Sequence, residues 1–245
     1  MHRWFRFSAG FSGCWAQHVI ASAAATRDTR VFDPFAGCGT TLIAAEDAGV
    51  RSIGVEAHPF IHRVAQAKLA RRSDLQAFRT HAKTVRTSAG KRTGRLDGYP
   101  KLIRECYDDG TLSELDCLRR SLEEADDATE AARLSWLALV GILRRCSHAG
   151  TAQWQYVLPR KTKKSPSRPF LAFDQMVLSV ASDMAESNGR NSPAAQLLRA
   201  DARDCVGVKD GSATLVLTSP PYPNNYDYAD ATRPEMCFFQ EIRGW

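Results

Sequence analysis

Residues 31–71 switch twice between a short apolar run and a helical pattern, and few folds accommodate that alternation. Val31–Phe35 reads as a buried strand, followed by a Gly-rich turn and a helix over about Thr40–Ala48 that Gly49 can stop. Val50–Val55 reads as the next strand and closes on Glu56. Pro59–Arg71 reads as a second helix with proline in its first turn. Strand–helix–strand–helix order argues for a parallel sheet of the doubly wound α/β type.

The pattern then breaks. Ser73–Lys101 is polar and basic, with Arg79, Lys83, Arg86, Lys91, Arg92 and Arg95 among Ser, Thr and Gly, and reads as a basic loop. Helical signals return at Leu112–Asp126 and Ala131–Cys146; the core of the second is apolar nearly all round and should be buried. Arg160–Pro169 carries clustered charge and two prolines, which argue against regular structure. Phe170–Glu186 reads as a third helix, and strand character returns at Leu197–Asp201. The expected organisation is therefore a sheet-forming part at 1–73, a mostly helical and basic insertion at 74–190, and the rest of the sheet domain at 191–245.

A chain of 245 residues suffices for one well-buried domain with an inserted subdomain. A net charge of +6 suits a polyanionic partner but does not require one. The seven cysteines are scattered, with no C-x-x-C pair and no metal-ligand spacing, so reduced thiols and no metal are expected. Met1–Phe7 lacks the apolar core of a signal peptide and no apolar run reaches membrane-spanning length, which predicts a cytoplasmic protein without a membrane partner.

Two strings carry the chemistry. The turn after the first strand is Asp33-Pro34-Phe35-Ala36-Gly37-Cys38-Gly39-Thr40-Thr41, and Thr218-Ser219-Pro220-Pro221-Tyr222 follows the apolar run Ala213–Leu217. The first is similar to the S-adenosylmethionine (SAM) loop, and the second resembles the catalytic loop, of methyltransferases that modify exocyclic amino groups of nucleobases. The resemblance extends over about residues 1–72 and 197–240 and implies a Rossmann-like, SAM-dependent methyltransferase domain. No resemblance is placed for the insertion. Glycines in such a turn let the backbone approach a ligand that a Cβ would exclude. SAM has no phosphate, but its aminoacyl end carries an ammonium that Asp33 can meet. Phe35, Gly37, Gly39 and Thr40 belong to the same cofactor loop. Glu56, about twenty residues on at a strand tip, suits the ribose hydroxyls. Asp201 suits the adenine amino group, with Asp204 as the competing acid. The segment Phe7–Ser12 resembles the one that closes over SAM, which makes Phe7 a cofactor residue, although Trp4, Phe7 and Phe11 could equally staple the terminus.

An exocyclic amine is a poor nucleophile because its lone pair is delocalised into the ring. The site must therefore orient acceptors at the amino hydrogens. The Ser219 hydroxyl and the Pro220 carbonyl can accept them, Pro220 and Pro221 fix the backbone, and Tyr222 can stack on a base flipped out of the duplex. Serine at the first position favours cytosine N4, and the continuation Pro223–Tyr228 with Arg233-Pro234-Glu235 looks like that of N4-cytosine DNA methyltransferases. Adenine N6 and RNA amines remain alternatives, as does a DNA-binding remnant without turnover.

The expected partner is double-stranded DNA, in a site-specific setting such as restriction–modification. Arg160, Lys161, Lys163, Lys164 and Arg168 are the foremost phosphate contacts, with Arg79–Arg95 as a second basic stretch and Trp154 and Tyr156 adding aromatic surface. The SAM loop precedes the catalytic loop, a permuted order relative to many serine-type enzymes. A complete domain of this kind has three further strands after the catalytic one. A fragment, a truncated product or half of a split enzyme is therefore expected, completed by a further segment or second chain, with weak or no activity of these residues alone.

Overall fold

The computed structural model describes residues 1–5, 7, 10–24, 28–151, 157–162, 165–187, 192–221 and 230–243, the side chains of 151 and 157–161 excepted. Contacts group Met1–His2, Ala9–Arg72 and Ser187–Asn224 into one unit, and Arg3–Ser8, Ser73–Glu186 and Asn225–Trp245 into another.

The first unit is α/β with a parallel sheet, as the alternation predicts. Strand β1 (Arg30–Asp33) pairs with β2 (Arg51–Val55) on one side and with β6 (Leu215–Val216) on the other; β5 (Gln196–Leu198) extends the sheet beyond β2. The order β5-β2-β1-β6 makes β1 the strand at which the chain changes direction across the sheet. Ligands of open α/β sheets bind outside the carboxyl ends of the strands at such a point. The register brings Val31 opposite Leu215 and Phe32 opposite Val216. Asp33 and Thr218 consequently emerge from the same end of adjacent strands.

Helix α1 (Gly13–Ala24) was not anticipated. It packs Ala16 and Ile20 into a core with Val31, Ala44, Ala45, Val50 and Leu217. This cover explains why α2 (Thr40–Asp47) is buried from Thr40 through Glu46, although so short a helix has little stability of its own. Helix α3 (Pro59–Leu69) begins at the expected proline and is capped by His58, whose ring accepts from the Ile61 N–H. Just beyond it the Arg71 guanidinium is fully buried, pairing with Glu46 and, at 2.9 Å, with Asp47. Removing either acid from so buried a cation would cost several kcal/mol, about 3–5 by general experience.

In the second unit two expectations need correction. The basic stretch after Ser73 is not a loop: helix α4 covers Leu75–Ala89. Phe78, Ala82, Val85 and Ala89 are its buried residues, spaced as one helical face, and Asp74 caps it by accepting from the Gln76 and Ala77 N–H groups. Cationic residues hide this apolar stripe in a composition reading. Arg160–Pro169 is not wholly irregular either. Strand β4 (Val157–Thr162) pairs antiparallel with β3 (Ala149–Thr151), with a bulge between Ala149 and Gly150. In a two-stranded ribbon both strands are edges, where Pro159 need not forfeit a ladder hydrogen bond.

Helices α5 (Lys101–Cys106), α6 (Asp109–Glu124), α7 (Glu130–Cys146), α8 (Pro169–Ser187) and α9 (Arg233–Phe238) complete this unit. Helix α7 is buried along Leu134–Val140, as its apolar run predicts. Inside the unit, Tyr99 donates to Asp116 at 2.8 Å and Arg119 donates to both, so the buried Asp116 carboxylate has its partners in place. Among the described residues no helix is long and apolar enough to cross a membrane.

Candidate active site

The site grows from the end of β1. Asp33 is 1% exposed, and its Oδ1 accepts from the Phe35 N–H at 3.0 Å and from the Thr218 hydroxyl at 2.6 Å. Its Oδ2 is buried and has no hydrogen-bond partner among the described residues. Burial raises the Asp33 carboxyl above the usual carboxylate range, opposed by the Thr218 and Thr41 hydroxyls and the Phe35 N–H. A buried oxygen without a donor is costly, so this one is an acceptor available for a cation.

Beyond Asp33 the backbone turns through Gly37 (φ +52°) and Gly39 (φ +82°), the left-handed region where a side chain is strained. The turn closes through Gly39 N–H to the Ala36 carbonyl at 2.8 Å and is tied to β2 through Ala36 N–H to the Val55 carbonyl at 2.9 Å. Gly54 makes that approach possible: a Cβ there would lie 2.9 Å from both Ala36 Cβ and Leu42 Cδ1. Gly54 was not anticipated as a site residue. Only the packing of the loop over β2 reveals it.

Glu56 follows β2 and folds under the same turn. Its Oε2 accepts from the Gly37 N–H at 2.9 Å and its Oε1 from the His58 N–H at 2.8 Å. Each oxygen keeps a second lone pair for a hydroxyl. Burial raises the Glu56 carboxyl; the two N–H groups oppose this and the Asp33 charge adds to it. Two acids sharing one end of the sheet thus favour a ligand carrying positive charge and hydroxyl donors.

The expected catalytic loop meets this turn from the other side. Leu217 N–H donates to the Phe32 carbonyl at 3.0 Å, and the Thr41 hydroxyl donates to the Leu217 carbonyl at 3.3 Å. Ser219 follows directly and is half-buried, with Pro220 and Pro221 exposed. Tyr222 lies outside the described residues. Thr218, given no role from sequence, is the direct link between the two motifs; only the pairing of β1 with β6 reveals it.

The other expected residues divide. Phe35 is 39% exposed beside the turn, and Thr40 opens α2. Asp201 belongs to the same unit, but its carboxylate is engaged by Arg203 through the backbone N–H at 2.9 Å, Nε at 3.0 Å and a terminal nitrogen at 2.7 Å. These hydrogen bonds hold Asp201 at about 2. Phe7 is half-buried and groups with the second unit. Of the expected phosphate contacts, Arg168 is exposed with a nitrogen 3.9 Å from Glu114. Arg160 and Lys161 lie on β4 with side chains outside the described set, and Lys163, Lys164, Trp154 and Tyr156 are outside it altogether.

Residues 11–67 match the family model N6_N4_Mtase, described as DNA methylase. The chain is similar to the Type II methyltransferase M.BsoBI of Geobacillus stearothermophilus, at 22% identity across 97% of this chain and 52% of that protein. It is also similar to the Type II methyltransferase M.AvaI of Nostoc sp. (strain PCC 7120) and of Anabaena variabilis, at 24% identity across 96% of this chain and 53% of each relative. The chain thus spans about half the length of the curated relatives it matches. No solved structure gives a significant match.

Proposed function

We propose, from the premise that this chain is a relative of the amino-group DNA methylases, that it takes part in transferring a methyl group from SAM to the N4 amine of cytosine in duplex DNA. The observation that carries this reading is the hydrogen bond from Thr218 to Asp33, which joins the expected cofactor turn to the expected catalytic loop at one end of one sheet.

The residues fit SAM on three counts. Asp33 Oδ2 is a buried acceptor without a donor among the described residues, suited to an ammonium. The Gly37–Gly39 turn takes left-handed backbone angles that only glycine adopts without strain, and Glu56 keeps acceptor capacity for the ribose. SAM supplies an electrophilic methyl group when bound. The protein's own part is orientation. The Ser219 hydroxyl and the Pro220 carbonyl accept hydrogen bonds from the two amino hydrogens, which steers the nitrogen lone pair away from the ring and offsets the positive charge that develops on the nitrogen. Tyr222 offers a ring face to the flipped base. Serine in place of an acid or amide at this position is the ground for cytosine over adenine.

Mass spectrometry of nucleosides from DNA treated with the full-length protein tests the reading. N4-methylcytosine is expected. N6-methyladenine alone would overturn the choice of base, and no methylated nucleoside would overturn the activity.

A further inference from the structure

Of six cations between Arg79 and Arg95, the tertiary structure withdraws two. Arg86 stacks 4.1 Å over the Phe170 ring and reaches Asp174 at 3.3 Å, and Arg92 forms a two-pronged pair with Glu124. Arg79, Lys83 and Lys91 are exposed and meet no acidic partner among the described residues. Helix α4 turns its apolar stripe inward, so Arg79, Lys83 and, just past its end, Lys91 line a groove of about 590 Å³ on its outer side. Thr80 and Thr87 add hydroxyls to the same lining, where Thr84 gives its own to the Thr80 carbonyl at 3.1 Å, and the lining residues include no carboxylate.

We propose that this outer face of α4 is a phosphodiester-binding surface that lies along the backbone of duplex DNA. The inference rests on the DNA methylase reading and adds a surface to it. Unneutralised cations interleaved with hydroxyl donors match the phosphate oxygens of a nucleic-acid backbone, and such contacts position a duplex without reading its sequence. Twelve residues separate Arg79 from Lys91, about 18 Å at helical rise, so the row spans roughly five nucleotides of one strand. A neighbouring cavity shares Gln76, Thr80 and Thr84 but carries Asp74, Asp127 and Glu130. Those acids repel phosphate, which confines the backbone to the Arg79–Lys91 side.

The test is fluorescence anisotropy of the purified protein with a labelled duplex over a salt titration. Arg79→Gln, Lys83→Gln and Lys91→Gln together should flatten the slope of log affinity against log salt by about 3, close to one per contact. Arg86→Gln with Arg92→Gln should leave that slope unchanged. SAM calorimetry on each variant checks folding independently, and Lys83→Glu provides a second variant that should weaken binding more than Lys83→Gln. If the unaltered protein binds duplex and the triple variant keeps its slope, the helix surface is overturned while the methylase reading stands. If the unaltered protein neither binds nor methylates duplex, the methylase reading falls and this inference with it. Preference for duplex RNA through the same three cations would overturn DNA as the partner.

Discussion

The Thr218 hydroxyl donates to Asp33 Oδ1 at 2.6 Å, joining two residues 185 positions apart in sequence. That bond exists because β1 and β6 are parallel neighbours, so the end of one strand faces the end of the other. The second Asp33 oxygen has no donor among the described residues. A single hydroxyl therefore couples the shape of the cofactor turn to the start of the catalytic loop.

Thr218→Val should weaken SAM binding about tenfold, the equivalent of roughly 1.4 kcal/mol and within the range for losing one hydrogen bond to a buried carboxylate, which keeps the Phe35 N–H. Thr218→Ser should recover most of the loss. Calorimetric SAM affinities of the three proteins check this; equal affinity for the valine variant and the unaltered protein would remove Thr218 from the site.

SAM affinity should fall as pH drops through the raised Asp33 titration. Burial is the main cause of that raised value, so the folded protein keeps the proton to a higher pH than the unfolded chain. Ionising Asp33 consequently subtracts stability as pH climbs from the unfolded to the folded value, and the cost is constant above it. A bound ammonium favours the ionised form, so binding strengthens as pH rises toward the titration of the ligand-free folded protein and is constant above it. Asp33→Asn should bind weakly and lose this part of the pH dependence.

Gly54→Ala should destabilise the protein by about 1–3 kcal/mol, the usual cost of overpacking a close contact. Its new Cβ would lie 2.9 Å from Ala36 Cβ and from Leu42 Cδ1. Since Ala36 belongs to the cofactor turn, SAM affinity should fall as well. Denaturant melts and calorimetry measure the two effects, and adding Ala36→Gly should return part of both by vacating one of the contacts.

Ser219→Ala should abolish methylation while leaving SAM affinity within about twofold, because the hydroxyl acts on the target amine. Removing one oriented transition-state hydrogen bond costs about 100- to 1,000-fold in rate. Equal loss of SAM binding and methylation would mean that Ser219 holds the loop rather than the amine.

Much of this was legible along the chain. The apolar runs and the glycine turn foretold β1, α2, β2 and α3 within a few residues, because each element's pattern is local. The Asp33–Thr41 and Thr218–Tyr222 strings named a chemistry for the same reason: their residue types and order are themselves the signal. Helix α4 was not legible, since its buried stripe of Phe78, Ala82, Val85 and Ala89 is interrupted by cations and its partners are distant in sequence. Nor was strand β4, whose pairing with β3 is a relation between two segments.

What the sequence by itself determined is the set of local elements and the residue types available for reaction. The tertiary structure decided which of them act on one another. Strand order brought Thr218 to Asp33, and packing over β2 left no relaxed space for a Cβ at Gly54. Distant acids and an aromatic ring took up Arg86 and Arg92 and left Arg79, Lys83 and Lys91 unpaired among the described residues. The physical reason is common to all three. Hydrogen bonding, steric contact and charge neutralisation act across a few ångströms of space, and only the folded chain sets which groups come within that reach.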